Sequence, residues 1–580
     1  MEAQYPYQDA GLSVHQRVED LLSRMPLADK VGLMFHTIAV PADVDAVVPL
    51  FGERSLRSLV DKGLRHFNVL GSLPDGRSFA QWHNSVQSAA LRHPLGIPVT
   101  FSSDPRHHFG DNPLTQMMAG PFSLWPEPLG LAAIGSADRV REFADIVRQE
   151  YLAVGIRVAL HPQLDVATEP RWSRINTTFG EDAELTSRLG VAYVDGLQGA
   201  RLGADSVAAM VKHFPGGGPQ LDGNDPHFGW GREQVYPGDN AAYHLRPFRA
   251  ALDAGAVEVM PYYGMPVGTD WDEVGFGFNK SVITGLLRDE LGFDGIVCTD
   301  WGLVSDHPDL GDLGVARAWG VEHLGPADRA LRVIEAGADQ FGGEDCTEVL
   351  LGLVRDGRVS ESRIDESVRR LLRVTFTLGL FEHPFVDEEA ASITLGRSDF
   401  RDAGLAAQRD SLTLLTNTGL LPLARGAKVF APQISAAALE GHATRVDDPA
   451  AADVAVLRIK APYEPRTEGM AALFHHGSLE FAAEEVRRIR AVCAAVPTVI
   501  DVYLDRPAVL TPLAGAAAAL IANFGVSERA LIAVLFGAAE PRGTLPFDLP
   551  RSDAAVAASR TDVAFDTADP LFRFGHGLRY

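Results

Sequence analysis

Cysteine is nearly absent: Cys298, Cys346 and Cys493 are the only three in 580 residues. They lie far apart and lack metal-ligand spacing, which argues against a disulfide scaffold and leaves buried free thiols as the expectation. Positive charge is also scarce, with 52 Lys and Arg against 76 Asp and Glu, a formal charge of −24. Nucleic acid and anionic membrane surfaces would both repel such a chain, so neither is expected as a partner. Long apolar runs are missing as well. No stretch of about 18 uninterrupted apolar residues could span a bilayer. Residues 1–9 show neither the basic nor the apolar region of a signal peptide, and a cytoplasmic location is the expectation. Low-complexity tracts and short-period repeats are absent. What is present is a chain 46% hydrophobic and too long for one core, which implies two or three soluble domains.

From about residue 15 to 380, short apolar runs alternate with amphipathic stretches, the rhythm of βα units around a parallel sheet. Strands are expected at 31–36, 67–73, 98–103, 157–164, 206–213, 256–263, 295–299 and 338–341. Helices are expected between them, among others at 137–152, 183–197, 281–291 and 327–336. Eight strands with intervening helices predict an α/β fold, a (β/α)8 TIM-like barrel over residues 1–380. A doubly wound open sheet is disfavoured, because no Gly-x-Gly-x-x-Gly turn follows the first strand. Residues 381–411 read as a linker with some helix of its own. A second rhythm over 412–580 predicts a smaller α/β domain, with strands at 412–417, 428–431, 454–459, 498–503 and 518–523.

The sharpest local signal is Asp294-Gly-Ile-Val-Cys-Thr-Asp300-Trp301-Gly302, an apolar run of strand composition that stops at a carboxylate. In barrel enzymes the rim after the strands is where chemistry sits, although an aspartate there also suits a helix cap. Asp300 has company. Asp104 closes the third expected strand, Asp165 the fourth, Lys212-His213 the fifth and Tyr262-Tyr263 the sixth. Phe214-Pro-Gly216-Gly217-Gly218-Pro219 follows the fifth and offers adjacent backbone donors. It lacks the spacing of a phosphate loop and also reads as a plain turn. Glu169-Pro-Arg171-Trp-Ser-Arg174, followed by Phe179-Gly-Glu181-Asp182, sets two arginines among acids. A guanidinium fixed by carboxylates can aim its other donors at a polyhydroxylated ligand; the alternative is a surface ion-pair network worth little.

Together these residues resemble glycoside hydrolase family 3, the retaining β-glucosidases and their relatives, over nearly the whole chain. Glu169-Pro-Arg-Trp-Ser-Arg looks like the family's Asp-Pro-Arg-Trp-Gly-Arg loop, and Phe179-Gly-Glu-Asp like its Tyr-Gly-Glu-Asp. Lys212-His-Phe-Pro-Gly resembles its lysine–histidine motif, and Gly295-Ile-Val-Cys-Thr-Asp-Trp-Gly its nucleophile strand. Thr413-Leu-Leu-Thr-Asn and Phe574-Gly-His-Gly-Leu-Arg-Tyr resemble motifs of its second, α/β sandwich domain. The resemblance implies an exo-acting β-glucosidase without cofactor or metal, working on a small-molecule β-glycoside or oligosaccharide. It implies Asp300 as nucleophile, Asp104, Arg171, Lys212 and His213 on the sugar hydroxyls, Tyr263 beside the nucleophile, and Trp301 as an aromatic wall.

The general acid does not carry over as a motif. In two-domain relatives it is a glutamate on a variable loop of the second domain. Here the comparable loop reads Lys460-Ala-Pro-Tyr-Glu464-Pro-Arg-Thr-Glu468-Gly. Glu464 is the first expectation, Glu468 the second and Glu480 the third, since Glu169 and Glu181 look committed to arginines. One branch of the family instead uses an Asp–His pair and acts on N-acetylglucosaminides, and Asp222-Gly-Asn-Asp225-Pro-His227 keeps that alternative open. A catalytically silent carbohydrate-binding protein is the reading from another class.

Overall fold

The computed structural model describes residues 4–49, 53–110, 112–308, 311, 314–467 and 469–580. Its larger sheet has eight parallel strands. They are β1 Phe35–Ala39, β2 His66–Val69, β3 Thr100–Ser103, β4 Ile156–Ala159, β5 Ala208–Phe214, β6 Glu258–Pro261, β7 Ile296–Val297 and β8 Phe341–Gly342. The order is β7-β6-β5-β4-β3-β2-β1-β8, chain order all the way round. The ring closes just past β7, where Cys298 bridges Gln340 and the Thr299 N–H donates to the Gln340 carbonyl at 3.0 Å. This is the expected barrel. Its strands are buried on both faces, and all seven residues of β5 are buried; the polar residues they carry pair inside the barrel, as His36 does with Ser102 at 2.7 Å. Phe67 and Phe101 pair across β2 and β3 with ring centroids 6.2 Å apart, and truncating either would cost about 3–5 kcal/mol.

The helices obey their end signals. Ser136 caps Ala137–Val154 by accepting the Arg139 N–H, and Asp182 caps Ala183–Gln198 by accepting that of Leu185. Gly155 ends the first of these at φ +82, with the His83 ring 2.2 Å from where a β-carbon would stand. Ser281–Glu290 is helical as expected, but in wide π-type turns. The first expected strand, 31–36, is corrected. Leu27–Leu33 is a helix and the strand begins at Phe35. A short apolar run suits a buried helix as well as a buried strand. The helix packs closely on the turn at Gly63: a β-carbon on Gly32 would lie 2.5 Å from the Gly63 carbonyl oxygen.

The second sheet contains β9 Thr413–Asn417, β10 Lys428–Phe430, β11 Thr444–Val446, β12 Val454–Lys460, β13 Thr498–Tyr503 and β14 Ala519–Asn523. Its order is β9-β14-β13-β12-β10-β11, with only β9 antiparallel to its neighbour. β11 escaped the sequence reading because Thr444-Arg445-Val446 is short, exposed and edge-placed. Helices Glu388–Thr394 and Ser398–Ser411 occupy the connecting segment.

Buried carboxylates lock the two sheets together. Asp562 accepts the Gly238 and Asn240 N–H groups at 2.7 and 2.9 Å. Glu181 accepts those of Asp548 and Phe565 at 2.5 and 2.8 Å, so its expected commitment to an arginine is corrected. Burial pushes the Glu181 carboxyl up to about 8. Arg506 is also buried and donates to five carbonyls, those of Arg171, Pro462, His476, Gly477 and Ser478. No helix among the described residues is long and apolar enough to cross a membrane.

Candidate active site

A cavity of about 110 Å3 opens at the carboxyl ends of the barrel strands, lined by Asp104, Lys212, His213, Tyr263, Asp300 and Trp301. All six were expected from the sequence, and each stands at or just past a strand end. Asp300 is the floor. Its carboxyl is 12% exposed; Oδ1 accepts the Trp301 N–H at 3.3 Å, and Oδ2 has no hydrogen-bond partner among the described residues. Burial raises the pKa of this carboxyl, while His227, Arg174, Lys212 and the Tyr263 hydroxyl pull it back down.

His213 faces that free oxygen, with Nε2 3.8 Å from Oδ2. Its Nδ1 is 2.7 Å from Asp165 Oδ2, and burial, with Arg174 and Lys212 next, pushes the imidazole pKa well down. The ring is therefore neutral, donates through Nδ1 to Asp165, and presents Nε2 to the cavity as an acceptor. Asp165 also takes the Gly217 N–H at 2.5 Å. The glycine run is thus spent on positioning Asp165. Its tightness is steric too, because a β-carbon on Gly217 would meet the Tyr262 ring at 2.6 Å and one on Gly218 the Val166 carbonyl at 1.7 Å.

Lys212 Nζ lies 2.7 Å from Asp104 Oδ1, and Asn68 donates to the other Asp104 oxygen at 3.1 Å. Tyr263 donates its hydroxyl to the Trp301 carbonyl at 2.8 Å and accepts the Trp301 N–H at 3.1 Å. This pair of bonds fixes the backbone beside the nucleophile candidate. The Trp301 indole lies on Gly342 and Gly343, where β-carbons would come within 2.6 and 2.7 Å of the ring. The end of β8 needs those glycines to seat the wall.

The expectation for Arg171 is corrected. Glu169 chelates its guanidinium at 2.8 and 3.0 Å, Asp222 adds a 3.4 Å contact, and Arg171 does not line the cavity. Arg174, three residues on, does. It is 3% exposed and donates to Gln163 at 3.2 Å. Burial works against its charge, but Tyr262, Asp225, Asp300 and Asp165 more than offset this and hold it cationic. The signal was in the spacing: an arginine two residues from Glu169 is within its chelating reach, and the more distant one stays available.

His227, expected at the site only under the Asp–His alternative, also lines the cavity. Asp225 Oδ1 holds its Nδ1 at 2.6 Å, while Asp225 Oδ2 takes the Trp172 indole N–H at 3.2 Å. Glu464 does not line the cavity. It is exposed, lies against Gly477, and donates its backbone N–H to the His476 carbonyl at 2.9 Å. Its loop nevertheless reaches the barrel mouth. Arg466 stacks 3.5 Å over the Trp230 ring and donates to Asn224 at 3.0 Å, and the Phe474 ring sits 5.0 Å from that of His227. Glu480 accepts the Asp553 N–H at 3.2 Å, within the second domain. Glu468 lies outside the described residues. Among the described residues no cluster of three or more His, Cys, Asp and Glu side chains is arranged to hold a metal ion.

A barrel with a buried carboxylate just past β7, ringed by hydrogen-bonding side chains and an indole, fits the architecture of a glycoside hydrolase. Residues 63–374 match the glycosyl hydrolase family 3 N terminal domain and 432–580 the family's C-terminal domain, and the chain belongs to that family. It is 49% identical to "Beta-glucosidase C" of Emericella nidulans, over 99% of this chain and 94% of that one. It is 40% identical to the "Periplasmic beta-glucosidase/beta-xylosidase" of Dickeya chrysanthemi, over 99% and 91%. In fold it is similar to the β-glucosidase of Listeria innocua solved with isofagomine. There the TM-score is 0.77 at 24% identity, covering 97% of this chain and 83% of that one.

Proposed function

We propose that the protein is a retaining, exo-acting β-glucosidase that releases terminal non-reducing β-D-glucosyl residues. The observation that carries this reading is Asp300 itself, a buried carboxylate with one unengaged oxygen, offset by cations and open to a cavity lined with hydroxyl-binding groups. Asp300 attacks the anomeric carbon as the glycosidic C–O bond breaks, and the departing oxygen takes a proton from the general acid. Water then attacks the glycosyl-enzyme, giving its proton to the same group, now a base, and freeing Asp300. The Asp104–Lys212 pair, His213 Nε2 and Arg174 hold the sugar hydroxyls, and these contacts tighten as the oxocarbenium ion develops. Tyr263 steadies the backbone at Trp301, and Trp301 walls the sugar. The relatives named above, β-glucosidases at up to 49% identity across the whole chain, favour glucosides over N-acetylglucosaminides and a working enzyme over a silent binding protein.

For the proton carrier, Glu464 remains the first reading, on a loop that reaches the mouth. His227 is the second, favoured by its place on the cavity wall and its Asp225 partner. The test is a panel of aryl β-glycosides followed by azide rescue of Glu464→Gln and His227→Ala. The acid is the position whose variant fails on poor leaving groups, keeps good ones and regains rate with azide. A panel with no turnover of any aryl β-glycoside would overturn the enzymatic reading.

A further inference from the structure

A second cavity, about 420 Å3, lies at the carboxyl ends of the second sheet and shares Arg174 with the first. Its floor is the strand-end trio of Lys460 on β12, Tyr503 on β13 and Asn523 on β14. The wall between the cavities is a barrel loop that turns Pro113 and Leu114 to the catalytic side and Thr115 and Gln116 to the other. Parallel sheets collect ligands at this end of their strands. The volume falls within the range of small-molecule sites, about 300–1,000 Å3, whereas the catalytic cavity lies below it.

The lining of this cavity leaves hydrogen-bonding capacity of both kinds unspent. Among the described residues, Arg174, 3% exposed, has no hydrogen-bond partner for Nε or Nη1, and Gln116, 1% exposed, has none for Oε1. Its amide nitrogen lies 1.1 Å from where a β-carbon on Gly110 would stand, so the glycine makes room for this conformation. Asp505 accepts from His475 at Oδ2, and its Oδ1 has no partner among the described residues. Buried polar groups are normally paired with protein, ordered water or a ligand, and three of them border this one cavity. A ligand that only accepts would meet Arg174 and leave Gln116 and Asp505 unanswered. One that only donates would do the reverse. A hydroxyl does both, and the rings of Phe109 and Tyr503 on the same lining offer apolar faces for the C–H side of a pyranose.

We propose that this second cavity is a distinct binding site for a neutral polyhydroxylated ligand, a sugar, held apart from the one undergoing hydrolysis. The shared Arg174 makes occupancy of one site felt in the other.

The test is calorimetric titration of the full chain with glucose and, separately, with inorganic phosphate. Two classes of glucose site are expected. A double variant at exposed lining positions, Gln433→Ala with Lys460→Ala, should weaken one class at least tenfold. Turnover of an aryl β-glucoside at low glucose should stay within about twofold, which also reports that the variant is folded. A single class of glucose site, two classes both indifferent to the double variant, or phosphate in place of glucose as the Lys460-dependent ligand would each overturn the proposal. The hydrolytic reading is judged by turnover alone, so the two stand or fall separately.

Discussion

The strand ends of the two sheets are built on opposite plans. At the barrel rim three titratable side chains are paired at short range: Lys212 with Asp104 at 2.7 Å, the neutral His213 with Asp165 at 2.7 Å, and His227 with Asp225 at 2.6 Å. One carboxylate oxygen, on Asp300, is left over in the middle. At the rim of the second sheet Lys460 is exposed, and the segment that follows it, with Glu464 and Tyr463 exposed, leans on the barrel through Arg466 and Phe474. The first plan holds a reacting group in a fixed electrostatic frame, where preorganised donors are worth most. The second sets exposed side chains around the opening, on the loop proposed to carry the general acid. Enclosed and exposed groups are divided between the domains.

The strongest attempt to break this division is Asp300→Asn. It should cost at least about a thousandfold in turnover of every aryl β-glycoside while leaving the melting profile near wild type, because it removes the attacking oxygen and little volume. A loss of only a few-fold would move the nucleophile elsewhere.

A finer cut sets two arginines of one loop against each other. Arg174→Ala should lower kcat/KM by about a hundredfold and Arg171→Ala by only a few-fold, since only the first faces the cavity. The pH profile adds a sign. Asp300 must be ionised to attack, and Arg174 is among the groups that pull its raised pKa back down. Removing that cation raises the pKa further, so the acid limb of kcat/KM should move to higher pH in Arg174→Ala and stay put in Arg171→Ala.

The smallest effect lies at the foot of the barrel. Glu258 opens β6 fully buried, and burial pushes its carboxyl up to about 8. A folded pKa above the usual 4.5 means that the stability it contributes is complete below about 4.5 and is lost as pH rises through about 8. Glu258→Gln cannot ionise and should flatten that slope, gaining about 2–4 °C in Tm over wild type at pH 8 and little at pH 5. Parallel slopes in the two proteins would show that Glu258 has another source of stabilisation.

Legibility in the sequence follows the same division. Strand composition marked Asp104, Lys212, His213, Tyr263 and Asp300 as polar strand ends, and the family resemblance added Trp301 and the roles of all six. Arg171 was mistaken for Arg174 because loop residues three apart differ only in which carboxylate reaches them first. Glu181 looked like an arginine partner, yet its donors, Asp548 and Phe565, arrive from more than 360 residues away along the chain. The proton carrier stayed ambiguous for the same reason: its setting is made by two domains meeting, and neither segment carries the other's coordinates.

Arg506 bears on what this family of folds can become. It grips the feet of the Glu464 loop at Pro462 and at His476 to Ser478, and ties them to Arg171 of the barrel, through carbonyl oxygens alone. Every residue has a carbonyl, so the clasp is indifferent to the identities of the side chains between those feet. The tip can drift in sequence, lengthen or take up new aromatic and charged groups while its anchorage is inherited unchanged. A fold with such a fastening can diversify its choice of leaving group without renegotiating the interface between its domains, and a grafted loop need match only the two ends.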